Sequence, residues 1–433
     1  MRAVENRVVT NAAWIIVCRT IQAVLNLVIS MMTARYFGPS NYGLINYAAA
    51  IVAFCVPIMQ LGLRSTLVQE YISNPEDEGK VLGTSVVMNL LSSFLCIIGA
   101  ATFVLITNNN QKETIIVCIL YSAVLIFQAT EMIQYWFQSK LLSKYTSVVS
   151  LVAYIIVSAY RILLLITEKG VYWFAIANAL DYLIISACLF FLYKKISSSK
   201  ISFSFEMAKK MFGRSKYYIV SSMMVTVFGY VGSVMLKFYM DNEAVGFYTS
   251  AITCAGMTSF VFNALIDSAR PVILSYKKAG DKAKYEQTMV GLYSVVFYTS
   301  LVQSIVICLL ADVVVNLLYG SEYAASVEPL RVVAWYMIFS YLGPVRNVWI
   351  LAEEKQKYLW IINLSGAALS IVLNFSLIPI IGIMGAAIAA LVTQIFTNVC
   401  MSYIIKPLRG NNRLMLKGLN PRNIYSVIKL LIK

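Results

Sequence analysis

Residues 35–46 read RYFGPSNYGLIN, and residues 238–249 read FYMDNEAVGFYT. Each stretch follows one long apolar segment and leads into another, and Gly43 of the first aligns with Gly246 of the second. At the same offset three further pairs align: Asn46 with Thr249, Gln60 with Asn263, and Arg64 with Asp267. Internal repeats are common in proteins with many membrane-spanning helices. The sequence therefore predicts a chain built from two similar halves.

The composition of the 433-residue chain supports a membrane location for both halves. Hydrophobic residues make up 60% of the chain and charged residues 13%, against roughly 45–50% and 25% in soluble domains. Twelve segments contain the ~20 mostly apolar residues that a spanning helix needs: 10–34, 42–62, 81–106, 114–137, 146–166, 171–193, 217–236, 245–268, 289–311, 329–352, 359–380 and 384–405. The predicted fold class is all-α, a polytopic membrane protein with 12 transmembrane helices in two pseudo-symmetric six-helix lobes.

The predicted domain boundaries follow from these segments. The N-terminal lobe is 1–193, a cytoplasmic amphipathic linker is 194–216, the C-terminal lobe is 217–405, and a basic cytoplasmic tail is 406–433. Residues 203–218 and 420–433 mix apolar side chains with lysines, which indicates helices lying on an anionic leaflet. The alternative interpretation is that both are ordinary solvated basic segments.

The net charge of +15 predicts the orientation. With the N-terminus inside, most of the 35 Lys and Arg residues fall in the inner segments, and the outer loops hold only Arg35, Lys112 and Lys169. This asymmetry is the positive-inside pattern of membrane proteins. We therefore expect a multi-pass protein with both termini cytoplasmic, and the charge requires no nucleic acid partner.

Several kinds of chemistry are excluded or disfavoured. The chain contains no His, which removes His-ligated metals and Ser-His-Asp triads. Its eight Cys residues all lie in apolar runs without a CxxC pair, as is typical of buried hydrophobic side chains. We predict no catalytic residue, no metal site and no cofactor.

Polar side chains recur with helical period on two segments that correspond in the repeat. Arg19, Gln22, Asn26 and Ser30 form one such stripe, and Ser222, Thr226, Tyr230, Ser233 and Lys237 form the other. Polar residues inside a membrane usually mark function, although Ser, Thr and Asn also join helices by hydrogen bonds. The predicted substrate cavity comprises Arg19, Gln22, Asn26, Ser30, Gln60, Arg64, Thr226, Tyr230, Lys237, Asn263 and Arg270.

Three further predictions concern charged residues of the spans. Arg64 and Asp267 are equivalent in the repeat and opposite in charge, so we expect a breakable gate between the lobes, the alternative being two solvated residues at helix ends. Arg161 and Asp181 lie on neighbouring segments at depths that an arginine can bridge, which indicates a structural pair. Arg346 follows Gly343-Pro344 and either faces the cavity or, as we prefer, snorkels to the inner surface.

The sign of these charges indicates the cargo. Arg19, Arg64, Lys237 and Arg270 outnumber Asp267, and arginine binds phosphate groups in a fork. Hydroxyl, amide and aromatic groups along the same stripes suit sugars. The sequence therefore predicts an anionic cargo such as a phosphate or pyrophosphate.

The stretch Ala34–Gly43 resembles the loop after the first helix of polysaccharide transporters of the MOP superfamily, specifically Wzx-type O-antigen or capsule flippases. Leu377–Ala387 is similar to the pattern between their last helices. The resemblance implies a flippase, not an enzyme, that moves undecaprenyl-pyrophosphate-linked oligosaccharide to the outer leaflet. It also implies a central cavity lined by helices 1, 2, 7 and 8, in which Arg19, Arg64, Lys237 and Arg270 hold the pyrophosphate or part of the glycan.

Two other functions remain open. A multidrug exporter of the same superfamily relies on membrane carboxylates, but spans one and two contain no acid. A membrane glycan polymerase is the less favoured alternative, because the longest outer connection, residues 312–328, lacks His, Lys and Arg.

The remaining expectations concern location and partners. The resemblance places the chain in the bacterial cytoplasmic membrane, where lipid-linked oligosaccharide and membrane lipids are its partners. A polysaccharide polymerase and a chain-length regulator are candidate protein partners. H⁺ or Na⁺ coupling is left open, with Glu131 and Asp181 as candidate proton carriers.

Overall fold

The computed structural model describes residues 2–108, 111–197 and 199–420, with side chains from residue 14 onward apart from residue 16. Helices make up nearly all of this part of the chain, and it contains no β-strand. The predicted amphipathic tail helix at 420–433 lies outside the described residues, except for Asn420.

The α-helices of the described residues are numbered in chain order. The first nine are α1 (Arg2–Met59), α2 (Leu67–Ser73), α3 (Glu78–Thr107), α4 (Lys112–Ser122), α5 (Val124–Thr130), α6 (Gln134–Ser139), α7 (Ser143–Ile166), α8 (Val171–Ile196) and α9 (Phe205–Tyr239). The others are α10 (Asn242–Ala255), α11 (Ser259–Lys278), α12 (Lys282–Leu309), α13 (Ala311–Tyr319), α14 (Val327–Ala352), α15 (Leu359–Ile381), α16 (Ile383–Ile395), α17 (Met401–Ile404) and α18 (Arg409–Gly418).

The helices coincide with the apolar segments of the sequence. Among the described residues, nine helices are long and apolar enough to cross a membrane, and the bent pair α10–α11 brings the number to as many as ten. Helix α1 contains the first predicted segment and most of the second, and it changes direction at Gly38, whose φ of 68° and ψ of 176° are not helical. The all-α polytopic fold class is confirmed, and the count of twelve is compatible with these helices.

The chain divides into two compact units. Unit 1 comprises Met1–Tyr230 with Asp241–Gly246, and unit 2 comprises Val231–Met240 with Phe247–Lys433. In unit 1 an aromatic core forms where the Trp136 ring meets the rings of Phe137 and Tyr193 edge to face, at centroid distances of 5.0 and 4.9 Å. The Trp136 indole is satisfied by the buried Glu78 carboxylate, which accepts its N–H at 2.7 Å.

Helix α14 is the most buried long element of unit 2. It packs against α12 and α16, and Tyr341 on α14 stacks on Phe262 with ring centroids 4.0 Å apart. Arg346 on the same helix is only 5% exposed and donates to the Thr397 carbonyl at 2.6 Å. Thr397 belongs to a π-helical turn (Phe396–Cys400), where the usual backbone ladder is disturbed. Arg346 therefore does not snorkel to a surface, and that preferred expectation was wrong.

The two stretches that align in the predicted repeat contact each other within unit 1. A Cβ on Gly43 would lie 1.7 Å from the Asn242 carbonyl oxygen, and a Cβ on Gly246 would lie 2.1 Å from the Pro39 carbonyl oxygen. Pro39 and Asn242 are themselves equivalent at the offset that aligns the two glycines. The contact is therefore reciprocal, and only glycine permits it at either position.

The linker after α8 packs on unit 1. Residues 205–216 are the first turns of α9 and not a separate helix. Met211 is fully buried in the aromatic core, Arg214 forms an ion pair of 2.6 Å with the buried Glu70, and the Ser215 hydroxyl donates to the Leu61 carbonyl. Phe205 remains 77% exposed, so the amphipathic character survives at the start of the helix.

Candidate functional site

A polar cavity of about 170 Å³ lies beside the N-terminal half of α1. Arg19 and Gln22 line it from α1, and Gln134 and Gln138 line it from α6. Four hydroxyl side chains complete it from the start of α7: Ser143, Thr146, Ser147 and Ser150. The first two members of the predicted α1 stripe therefore lie among amides and hydroxyls.

A second polar cavity, of about 120 Å³, contains the next two members of the stripe. Asn26 and Ser30 line it together with Asn46, Arg161 and Asn178. The Ser30 and Tyr42 hydroxyls share a hydrogen bond of 2.7 Å. The Arg161 guanidinium donates to Asn178 Oδ1 at 2.8 Å, which fixes the direction of its positive charge.

The two cavities follow each other along α1 and α7. Between them, the Tyr154 hydroxyl donates to Asn26 Oδ1 at 3.0 Å. Polar residues recur along α7 with the same helical period as on α1: Ser143, Ser147, Ser150, Tyr154, Ser158 and Arg161. We call the lining residues of both cavities, with Tyr154, the unit 1 polar tract. The α7 side of this tract is absent from the predicted cavity, although its polar side chains recur at spacings of three and four residues, which is the signal of a helical stripe.

The unit 1 polar tract is basic. Arg19 and Arg161 are its two charged members, and no carboxylate lines either cavity among the described residues. Arg19 is exposed, whereas Arg161 is partly buried and oriented by Asn178. A partly buried cation attracts an anion more strongly than a fully solvated one, because water screens it less. The tract can therefore bind an anionic group beside many hydrogen-bonding hydroxyls and amides.

The predicted gate residues have other neighbours within their own units. In unit 2, Asp267 forms an ion pair of 3.0 Å with Arg270, one helical turn later, and both side chains are nearly half exposed. In unit 1, Arg64 is exposed, Gln60 is 8% exposed, and the Arg64 charge acts on the carboxylate of Glu131. A gate between Arg64 and Asp267 stays a prediction.

The structure does not bring Arg161 and Asp181 within ion-pair distance in the part of the chain that it describes. Arg161 binds Asn178 instead, three residues before Asp181 on the same helix. The Asp181 carboxylate interacts electrostatically with the Arg161 charge, but its buried Oδ1 has no hydrogen-bond partner. Arg161 therefore lines the polar tract, and its structural pair with Asp181 stays a prediction.

The remaining predicted cavity residues lie on α9 and α11. In unit 1 the Thr226 hydroxyl donates to the Ser222 carbonyl at 3.1 Å, and Tyr230 is 43% exposed. In unit 2 Lys237 is 8% exposed, whereas Asn263 is exposed. Their place in a shared cavity with the α1 stripe stays a prediction.

Metal-binding chemistry has no visible basis in the described residues. No group of three or more His, Cys, Asp or Glu side chains is positioned there to hold a metal ion. The eight Cys side chains are free thiols, and most are buried or partly buried.

Comparison with solved structures defines the class of the fold. The chain superposes on lipid II flippase MurJ in an inward closed conformation with a TM-score of 0.71 at 14% identity, covering 96% of this chain and 95% of that chain. It superposes on an inward-facing multidrug resistance MATE family transporter of the MOP superfamily with a TM-score of 0.65 at 14% identity, covering 90% and 96%. The fold is thus that of the multi-pass MOP-superfamily transporters.

Comparison with known sequences gives the family. The family described as "Polysaccharide biosynthesis protein" matches residues 8–277, and this chain belongs to it. The capsular polysaccharide biosynthesis protein CapF of Staphylococcus aureus is 21% identical over 92% of this chain and 99% of its own length. The probable low-salt glycan biosynthesis flippase Agl15 of Haloferax volcanii is 21% identical over 82% and 74%.

These findings confirm the resemblance to MOP-superfamily polysaccharide transporters. They also confirm the prediction that the chain is not an enzyme, because the relative Agl15 is named a flippase and the structural neighbours are named a transporter and a flippase.

Proposed function

We propose that this chain is a flippase that carries undecaprenyl-pyrophosphate-linked oligosaccharide across the cytoplasmic membrane by alternating access. The cargo would be the repeat unit of an O-antigen or capsule. The observation that carries this proposal is the unit 1 polar tract, in which two arginines lie among hydroxyls and amides without a lining carboxylate. The names of the relatives CapF and Agl15 support a glycan cargo.

The tract suits both polar parts of such a cargo. Arg19 and Arg161 supply the planar donors that bind phosphate oxygens in a fork. The serines of α7 and the amides of Gln134, Gln138 and Asn178 suit sugar hydroxyls, which need both donors and acceptors. The polyprenyl chain can remain in the bilayer, where its burial requires no protein groups.

A cation-exporting function fits the tract less well. A drug cation needs a carboxylate or an aromatic cage for its charge. The tract offers two guanidinium groups instead, which repel a cation. The likeness to multidrug transporters rests on fold alone, and the same fold can host different cargoes.

Transport of a lipid-linked oligosaccharide by the purified full-length chain in liposomes tests this proposal. We expect Arg161→Gln to reduce the initial flipping rate at least tenfold, because loss of a charge-assisted hydrogen bond costs about 1.5–3 kcal/mol. Arg161→Lys should retain part of the rate, since it keeps the charge but loses the fork. Arg19→Ala should abolish surface polysaccharide in cells while the protein still inserts normally.

The matched control is Arg331→Gln, which removes an arginine of unit 2 that pairs with Asp312 and Glu328 at the surface. We expect the control to flip at the unaltered rate. Unchanged flipping in both Arg19→Ala and Arg161→Gln would remove the tract from the transport path. Export of a cationic drug without movement of the glycan lipid would instead favour the exporter.

A further inference from the structure

A further cavity lies in unit 2, and none of its lining residues belongs to the unit 1 polar tract. It measures about 610 Å³ and opens among the ends of α11 and α14, the start of α12, and α18. That volume falls within the range of about 300–1,000 Å³ that is usual for small-molecule sites.

The charged residues that line this cavity are mainly basic. Four carry a positive charge and two a negative charge: Lys277, Lys282, Lys355 and Arg413, against Glu286 and Glu353. Charges that converge on one concave surface reinforce each other's field there. The cavity therefore attracts anions.

Two of the four basic side chains, Lys277 and Lys355, are held in place by neighbouring groups. The Glu353 carboxylate accepts hydrogen bonds from the Lys277 ammonium at 2.6 Å and from the Tyr285 hydroxyl at 3.0 Å. The Lys355 ammonium donates to the Pro407 carbonyl at 2.7 Å and lies 4.5 Å from the centre of the Trp349 ring. These contacts join the end of α14 to α11, to α12 and to the segment before α18, so the wall exists before any ligand binds.

The other two cations are available to a ligand. Lys282 and Arg413 are exposed, and neither has an ion-pair or hydrogen-bond partner among the described contacts. They extend from different helices, α12 and α18, into the same cavity. A phosphate group between them would satisfy both charges at once.

The aromatic lining favours a phosphate group over a stacked base. The Trp349 face is covered by Lys355, and the Tyr285 ring has the Lys277 ammonium 5.0 Å from its centre. A ring face that already holds a cation is less available to a nucleobase. The aromatic side chains thus position ammonium groups and do not form a base-binding slot.

We propose that this unit 2 cavity binds a phosphate-bearing anion through Lys282 and Arg413. An anionic phospholipid headgroup is the favoured source, because the cavity lies at the start of the apolar helix α12, where headgroups meet a membrane protein. A soluble phosphate or pyrophosphate would use the same two cations. The proposal is independent of the cargo and of the proposed flippase activity.

Binding to the full-length chain in phosphatidylcholine nanodiscs tests this site. The probes are a short-chain phosphatidylglycerol and inorganic pyrophosphate, each titrated by calorimetry. We expect K282Q/R413Q to weaken binding of the preferred probe about tenfold or more, since each basic residue near a membrane surface contributes substantially. Arg413→Lys should restore part of the lost affinity, because it returns the charge without the fork.

The matched control is K194Q/K195Q, which removes two lysines from the last turn of α8 in unit 1. Unaltered affinity in this control together with loss in the cavity variant supports the site. If pyrophosphate displaces phosphatidylglycerol at equal affinity, the ligand is soluble; if it does not, the ligand is the lipid headgroup. Equal affinities of the unaltered chain and both double variants, or no binding of either probe, would overturn the proposal.

Discussion

At the scale of single residues, Glu353 shows how contacts decide the charge of a carboxylate just beyond a membrane helix. Its partial burial disfavours the charged form, but hydrogen bonds from Lys277 and Tyr285 and the charges of Lys277 and Lys355 outweigh that cost. The pKa of the Glu353 carboxyl therefore lies below its ordinary value of 4.5. Protonation would break the network that joins α14 to α11 and α12.

The lowered pKa of Glu353 predicts a pH-dependent contribution to stability. A carboxylate with a lowered folded pKa stabilises the fold fully above its unfolded pKa, and this contribution disappears as the pH falls through the folded pKa. We expect the unaltered chain to melt at a higher temperature than Glu353→Gln near pH 7, and the difference to shrink as the pH falls below the ordinary carboxyl pKa of 4.5 and through the lower folded pKa. Thermal unfolding of the purified chain across this range measures it.

The control for this prediction is Glu76→Gln, which removes an exposed carboxylate that has no ion pair among the described contacts. Its melting temperature should match that of the unaltered chain at every pH. A difference between Glu353→Gln and the unaltered chain that stays constant down to pH 3 would contradict the assignment.

The residues of the site were predictable only in part from the sequence. The stripe of Arg19, Gln22, Asn26 and Ser30 follows from helical period, and the structure places all four in polar cavities of one unit. The partner of Arg161 did not follow, because Asn178 and Asp181 lie three residues apart on one helix and both are within reach of an arginine. Counting residues along a helix estimates how deep a side chain lies in the membrane. Which side chain of α8 the Arg161 guanidinium contacts depends also on how α7 and α8 are rotated about their own axes.

At the scale of elements, the segment between α8 and α9, which belongs to the predicted linker, packs against α3. Residues 199–204 cross the start of α3, where the Ser202 N–H donates to the Gly79 carbonyl at 3.3 Å. A Cβ on Gly79 would lie 2.1 Å from the Lys200 carbonyl oxygen, and a Cβ on Gly83 would lie 2.4 Å from the Ser202 carbonyl oxygen. The glycines one turn apart thus create the groove in which the linker lies.

Filling this groove should loosen the linker. We expect Gly79→Ala to destabilise the chain by about 1–3 kcal/mol, because the new methyl group meets backbone that must move. Trypsin cleavage near Lys200 should also become faster, since the linker leaves its groove. Thermal unfolding and limited proteolysis of the purified chain measure the two effects.

Gly99 provides the control on the same helix. A Cβ there would meet nothing within 4 Å, so Gly99→Ala should be neutral or stabilise the helix by up to about 1 kcal/mol. Equal cleavage rates and melting temperatures for the two variants would show that the linker does not depend on the groove.

The start of α9 shows which helical residues hydropathy does not predict. Apolar runs located the long helices, because about 20 apolar residues in succession have few alternatives to a membrane helix. The continuity of 205–216 with α9 was missed, since its many polar residues give no spanning signal. Its helical state depends on tertiary contacts such as the Arg214–Glu70 ion pair, which join residues far apart in the sequence.

At the scale of the whole molecule, the predicted repeat aligns two glycines that take part in one close contact of unit 1. Gly43 packs on Asn242, and Gly246 packs on Pro39. Pro39 and Asn242 align with each other at the same offset as the two glycines, so the two contacts correspond. The sequence offered the alignment of the glycines, but the contact between them required coordinates.

The distribution of Lys and Arg predicts the orientation of the whole chain in the membrane. The basic residues concentrate in alternate connections, which predicts that the α7–α8 loop lies outside and the end of α11 lies inside. In intact cells a membrane-impermeant maleimide should label Lys169→Cys but not Lys278→Cys, and permeabilisation should expose the latter. Both positions are exposed in the structure, so accessibility to the reagent depends on the side of the membrane. The exposed Cys188 is replaced by Ser in both variants and in the control without an added cysteine, which should remain unlabelled. Labelling of Lys278→Cys alone in intact cells would invert the topology, and it would place the basic unit 2 cavity on the outer surface.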